Sequence, residues 1–184
     1  ILMPMDPISK LTEYFKEFPG IGPRQAKRFV YFLLTRNSAY LEELSKLITE
    51  IKKNVKICSS CFRFFQSNSG IVCPICSDTD RNKEQLMIVS RDVDFEAIEK
   101  SKVYNGYYFI LGGTIPILDK EPEKRVRLND LKNKILKISP KEIIISMSIT
   151  ADGENTTLYL KDFITEMNKD IKITIPARGF STGS

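Results

Sequence analysis

The sequence predicts an α/β chain of several parts: an N-terminal helical hairpin, a pair of cysteine knuckles, and a small α/β domain with a mostly parallel sheet. Three observations carry this. Apolar residues at helical spacing are broken by Pro19-Gly20-Ile21-Gly22-Pro23. All four cysteines fall in Cys58-Ser-Ser-Cys61 and, eleven residues later, Cys73-Pro-Ile-Cys76. From Leu86 onward, short β-branched runs alternate with amphipathic stretches. The expected boundaries are 1–54 for the hairpin, 55–80 for the cysteine finger, 81–176 for the α/β domain and 177–184 for a short tail.

Residues 6–18 read as an amphipathic helix. Asp6 is placed as N-cap and Pro7 at the first helical position. Ile8, Leu11, Phe15 and Phe18 share one face. Two glycines and two prolines in five residues then force a tight turn. Pro23 opens a second helix with Ala26, Phe29, Val30, Leu33 and Leu34 at helical spacing. A third helix starts near Asn37-Ser38, turns Leu41, Leu44, Leu47, Ile48 and Ile51 inward, and ends in Lys52-Lys53-Asn54. This pattern resembles the helix-hairpin-helix motif. Gly20 and Gly22 would let backbone N–H groups approach a phosphate, at a helix N-terminus that carries partial positive charge. Arg24, Lys27 and Arg28 would add charge-assisted contacts. Such contacts reach the backbone of DNA and do not read its sequence. The competing reading is an ordinary helical hairpin whose glycines only permit the turn.

The two-residue gap inside each cysteine pair lets both thiolates curl around one ion, and two such knuckles complete a closed four-sulfur shell. Cys58, Cys61, Cys73 and Cys76 are therefore expected to hold a structural zinc. Iron fits the same geometry, and two disulfides are the plain alternative. A chain with its cysteines so clustered and without a secretory leader is expected in the cytosol.

The 184 residues are 42% hydrophobic, enough for a real core. No run reaches the length of a membrane span. The absence of histidine excludes Ser-His-Asp and Cys-His catalysis and any histidine metal ligand. Net charge is +5 with a pI near 9.0, a modest surplus that permits nucleic-acid binding without requiring it. Met3 or Met5 is the expected natural start.

Ser77 to Glu84 reads as a linker. Leu86–Val89 is a short strand, and Asp92 caps a helix holding Phe95, Ala97 and Ile98. Tyr107–Leu111 is a strand and Gly112–Pro116 a loop. Leu128, Leu131, Ile135 and Ile138 mark a helix, Ile143–Met147 a buried strand, Asn155–Asn168 a helix and Ile171–Ile175 a last strand.

Several motifs, in this order, resemble the RecR family of bacterial recombination mediators. They are Phe18-Pro-Gly-Ile-Gly-Pro-Arg-Gln-Ala-Lys-Arg28, the finger Cys58 to Cys76, Asp94-Phe-Glu-Ala-Ile-Glu99, Tyr107-Tyr-Phe-Ile-Leu-Gly-Gly113, Ile115-Pro-Ile-Leu-Asp119, and Asp152-Gly-Glu154 with Thr156. The resemblance runs from about Pro7 to Gly179. It implies that the α/β part is a Toprim domain, a fold whose enzymes hold magnesium with an acid after the first strand and an acidic pair after a later one. Asp152 and Glu154 match the pair, as a weak magnesium or partner site. Ser90 stands where the first acid belongs, and no tyrosine nucleophile is in register. The plain alternative is that Asp152 caps the following helix and Glu154 favours its first turn.

The resemblance further implies a non-enzymatic DNA-repair clamp of the bacterial cytosol and nucleoid. It would load recombinase together with RecO and, in some branches, RecF, as a homo-oligomeric dimer or tetramer ring. The segment Ile175 to Ser184 resembles the family's motif after the last Toprim strand, and family members continue with a strand and tail that exchange between subunits. Two other readings stand beside this one. One is a magnesium-dependent Toprim nuclease, primase or topoisomerase, against which Ser90 argues. The other is a zinc-stapled interaction module without a grip on DNA.

Overall fold

A computed structural model describes residues 6–67 and 69–177. The expected start at Met3 or Met5, and the terminal motif from Arg178 onward, lie outside the described residues. The chain divides into two compact units between Lys53 and Asn54.

The first unit is helical. Helix α1 spans Pro7–Lys16, α2 Pro23–Leu34 and α3 Ser38–Asn54. Asp6 caps α1 by accepting from the N–H groups of Ile8 (2.9 Å) and Ser9 (3.2 Å). Asn37 caps α3 through the Tyr40 N–H at 2.9 Å. The hairpin packs through Ala26, Val30 and Thr12, with Phe15 edge-on to Phe29. The structure corrects the expected inward face of α3: this helix buries no residue, and Leu41, Leu47, Ile48 and Ile51 are exposed. Helical spacing shows that a stripe is apolar but does not supply the surface that covers it.

The second unit joins the finger to the α/β domain. Strands β1 (Val55–Ile57) and β2 (Phe64–Gln66) pair antiparallel, and a short helix α4 (Pro74–Ser77) follows the second knuckle. Next come β3 (Asn82–Val89), α5 (Asp92–Ser101), β4 (Gly106–Ile110), a four-residue α6 (Pro122–Arg125), α7 (Leu128–Ile138), β5 (Glu142–Ser146), α8 (Ala151–Met167) and β6 (Lys172–Thr174). The sheet order is β4-β3-β5-β6, parallel throughout. Alternate residues serve opposite faces. Leu86, Ile88, Tyr107, Phe109, Ile143 and Ile145 meet α7 and α8, while Met87, Val89, Tyr108 and Ile110 meet Phe95 of α5.

Three expectations change. The stretch Ser77–Glu84 is not a free linker: β3 begins at Asn82, and the nearly buried Arg81 side chain forks onto Glu99 and donates to the Gly106 carbonyl at 3.1 Å. Asp92 does not cap α5. Asp94 instead accepts from the Arg91 N–H at 3.0 Å, while Asp92 reaches out to the finger. Helix α8 begins four residues before Asn155, because Thr150 caps it by accepting from the Gly153 N–H at 3.1 Å.

Candidate metal centre and nucleic-acid interface

The finger is built by β1 and β2 delivering the chain into a knuckle. The Cys58 N–H donates to the Arg63 carbonyl (2.9 Å) and the Phe62 N–H to the Cys58 carbonyl (3.0 Å). Phe62 takes a left-handed conformation, φ 65°, to close this loop. The second knuckle closes as the Cys76 N–H donates to the Cys73 carbonyl at 3.0 Å.

All four Sγ atoms lie within 4.8 Å of one another, with Cys61 and Cys73 Sγ at 3.6 Å. A tetrahedral zinc with sulfurs at about 2.3 Å would separate them by roughly 3.8 Å. The four are free thiols, and this separation far exceeds the roughly 2.05 Å of a disulfide. The donor set therefore fits zinc. Backbone N–H groups of Ser60 and Cys73 point at Cys58 Sγ at 3.4 and 3.3 Å, as a thiolate ligand requires. Hydrogen bonding from Cys61 lowers the Cys58 thiol, and the same pairing raises that of Cys61. The Cys73 thiol meets a bond with Cys58 that raises it, but bonds with Cys61 and Cys76 together outweigh that bond and burial, so it is lowered. Four crowded thiols cannot all ionise without a cation between them.

The finger also closes an open sheet edge. β4 is the edge strand, and its Ile110 N–H donates to the Cys61 carbonyl at 2.8 Å. Phe62 packs on Phe109 with centroids 5.4 Å apart.

At the hairpin, Gly20 has φ 78°, a conformation that favours glycine, and Gly22 has an ordinary φ of −83°. A side chain at either would meet nothing within 4 Å, so both face open space. Gly22 is the N-cap of α2 and supplies no side-chain bond to the first-turn N–H groups. Arg24, Lys27 and Arg28 are exposed, and none pairs with a carboxylate among the described residues. The turn thus presents uncapped N–H groups, a helix N-terminus and unneutralised cations.

In the α/β domain, strand order reverses between β3 and β5, so the segments after these strands flank a crevice. Ser90 follows β3. It is buried, its hydroxyl donates to Asp94, and its carbonyl accepts from the Gly112 N–H at 3.0 Å. Asp152 and Glu154 lie in the first turn of α8, after β5. The loop from Gly112 is bound to the same helix: the Ile115 N–H donates to Thr156 Oγ1 (2.8 Å), and Asn155 Nδ2 donates to the Ile115 carbonyl (3.0 Å). Gly153 has a packing duty, because a Cβ there would stand 2.0 Å from the Ser148 carbonyl oxygen.

Sequence reasoning missed three anchors of this unit: Arg81 on Glu99, Asp92 on the finger, and buried Lys134 of α7, whose Nζ donates to Ser60 Oγ at 2.6 Å. For Lys134 a signal existed, since it falls on the apolar face marked by Leu131, Ile135 and Ile138.

A helical hairpin with an open glycine turn, a four-cysteine cluster that fits a metal ion and a parallel α/β domain together define a class of multipart α/β protein. The sequence model described as RecR, helix-hairpin-helix matches residues 8–52, and that described as Toprim domain matches 84–177. Curated relatives named Recombination protein RecR span nearly all of the chain. That of Prochlorococcus marinus (strain MIT 9312) is 32% identical over 178 residues, covering 97% of this chain and 86% of the relative. That of Rippkaea orientalis is 30% identical over 167 residues, 91% and 83%. That of Dehalococcoides mccartyi is 32% identical over 177 residues, 96% and 84%. The chain belongs to the RecR family. Among the described residues, no helix is long and apolar enough to cross a membrane.

Proposed function

We propose that this protein acts in recombinational DNA repair as a non-enzymatic mediator that grips DNA by its backbone and helps load recombinase. The observation that carries this reading is the open turn at Gly20 and Gly22, with the uncapped start of α2 behind it and unpaired Arg24, Lys27 and Arg28 beside it. Phosphate is the ligand this set recognises, so binding is independent of base sequence.

Cys58, Cys61, Cys73 and Cys76 hold a structural zinc. A closed shell leaves no position for substrate, and the metal supplies folding energy that so short a pair of strands lacks. The exposed apolar face of α3 supports association of copies into a dimer or ring. Asp152, Glu154 and the loop at Gly112 form a partner surface, with RecO and RecF the partners that the family resemblance suggests. Magnesium chemistry is disfavoured at this surface, because the residue after β3 is a serine whose hydroxyl is committed to Asp94.

Arg24→Ala combined with Lys27→Ala is expected to weaken DNA binding evenly across sequences. It should also reduce the slope of log K against log salt by about 2, near one unit for each phosphate left without its cation. An unchanged slope in a folded double variant would move the grip elsewhere and favour the interaction-module reading.

A further inference from the structure

Helix α7 of the α/β domain carries one buried lysine, and its surroundings are unusual for a cation. Lys134 is 8% exposed. Among the described residues it has no carboxylate within 4.0 Å, although Asp130 lies one turn before it on the same helix. Its ammonium instead points at the finger. It donates to Ser60 Oγ at 2.6 Å and lies 5.3 Å from the centroid of the Tyr107 ring. Both partners are neutral. A buried ammonium held only by a hydroxyl and a ring face is costly unless a negative charge lies close by.

That charge is available one residue away. Ser60 sits between Cys58 and Cys61, and its own N–H donates to Cys58 Sγ at 3.4 Å. Four thiolates around a divalent ion carry a net charge of about −2. The same residues line a cavity of about 650 Å³ between finger and α7, which Cys76, the one ligand that is not fully buried, also borders. The cavity is the open flank of the centre, and Lys134 stands on it.

We propose that Lys134 is the counter-charge of the four-thiolate metal centre, and that through Ser60 it latches the finger to the α/β domain and slows metal loss through the open flank. The inference rests on the assignment of a metal to the four cysteines. The ammonium offsets the negative charge of the loaded centre, which makes that ligand set less costly to bury. It also keeps the Ser60 loop against α7. A helix of the sheet domain is thereby coupled to whether the finger is loaded.

The test is the rate of zinc transfer from the full-length protein to a coloured chelator at fixed pH, after the bound zinc is quantified. Lys134→Met preserves the stem and removes the charge; Lys134→Arg preserves the charge. The methionine variant should release zinc about tenfold faster, in the range seen when partners of metal ligands are removed, while the arginine variant stays near the parent. Equal rates in all three overturn the proposal. Equal acceleration in both variants also overturns it, because packing rather than charge would then be responsible. A parent protein isolated without zinc or iron would overturn the metal assignment itself, which separates that failure from failure of the latch.

Discussion

Asp92 Oδ1 accepts the backbone N–H of Phe64 at 2.8 Å. The bond joins the first turn of α5 to β2 of the finger across 28 positions of sequence. With the Ile110–Cys61 backbone bond and the Phe62–Phe109 contact, it makes the finger the cover of the sheet edge rather than a bead on a string. Asp92→Ala should destabilise the protein by about 1 kcal/mol, below the roughly 1.5–3 of a bond to a charged group because this one is exposed to solvent. Urea unfolding would detect it, and a change below a few tenths would show that the bond contributes nothing.

The two glycines of the turn should separate stability from binding. Gly20→Ala forces a side chain into φ 78° and is expected to cost about 1 kcal/mol in thermal unfolding. Gly22→Ala meets open space at an ordinary φ and should leave stability within about 0.5 kcal/mol. If the proposed backbone grip holds, a DNA titration of Gly22→Ala should nonetheless show weaker binding, since the added Cβ would enter the open space that the grip assigns to a phosphate. Full affinity there would count against backbone contact at Gly22.

Gly153 lies between Asp152 and Glu154 in the first turn of α8. Its duty is steric. A methyl group would overlap the Ser148 carbonyl, which is backbone and cannot swing aside. Gly153→Ala should cost about 1–3 kcal/mol by overpacking and shift the start of α8. Calorimetry checks it, and a melting temperature equal to the parent's would contradict the close approach.

Glu142 on β5 ties three strands together. Its carboxylate accepts from Thr174, Lys172 and Gln85, and these bonds, Thr174 first, hold its pKa down to about 2 against an ordinary 4.5. A carboxyl depressed in the folded state adds stability that is complete above its unfolded pKa. That stability fades as pH falls from about 4.5 towards 2. Glu142→Gln should flatten the pH dependence of unfolding in this window while leaving the region above about pH 6 parallel to the parent. An unchanged acid limb would assign the effect to other carboxylates.

Local sequence dictates the order of parts, the four-thiol donor set and the hairpin turn. Each is written in residues adjacent along the chain. Two knuckles with fixed gaps can close on one ion wherever they sit, and Asp6, Pro7 and Pro23 start their helices by local sterics and capping. Periodicity starts α8 too late because its cap is a threonine set before a glycine, a weaker local signal than the apolar run beginning at Leu158. What spans distance comes from the folded chain: Asp92 leaving its own helix for Phe64, Arg81 folding an expected linker onto Glu99, and Lys134 turning a helix's inward face towards Ser60 of the cysteine finger, 74 positions upstream. The fold also leaves the stripe of α3 uncovered. Periodicity records which face of an element is apolar or charged, while the partner of that face is fixed only when the chain brings distant segments together.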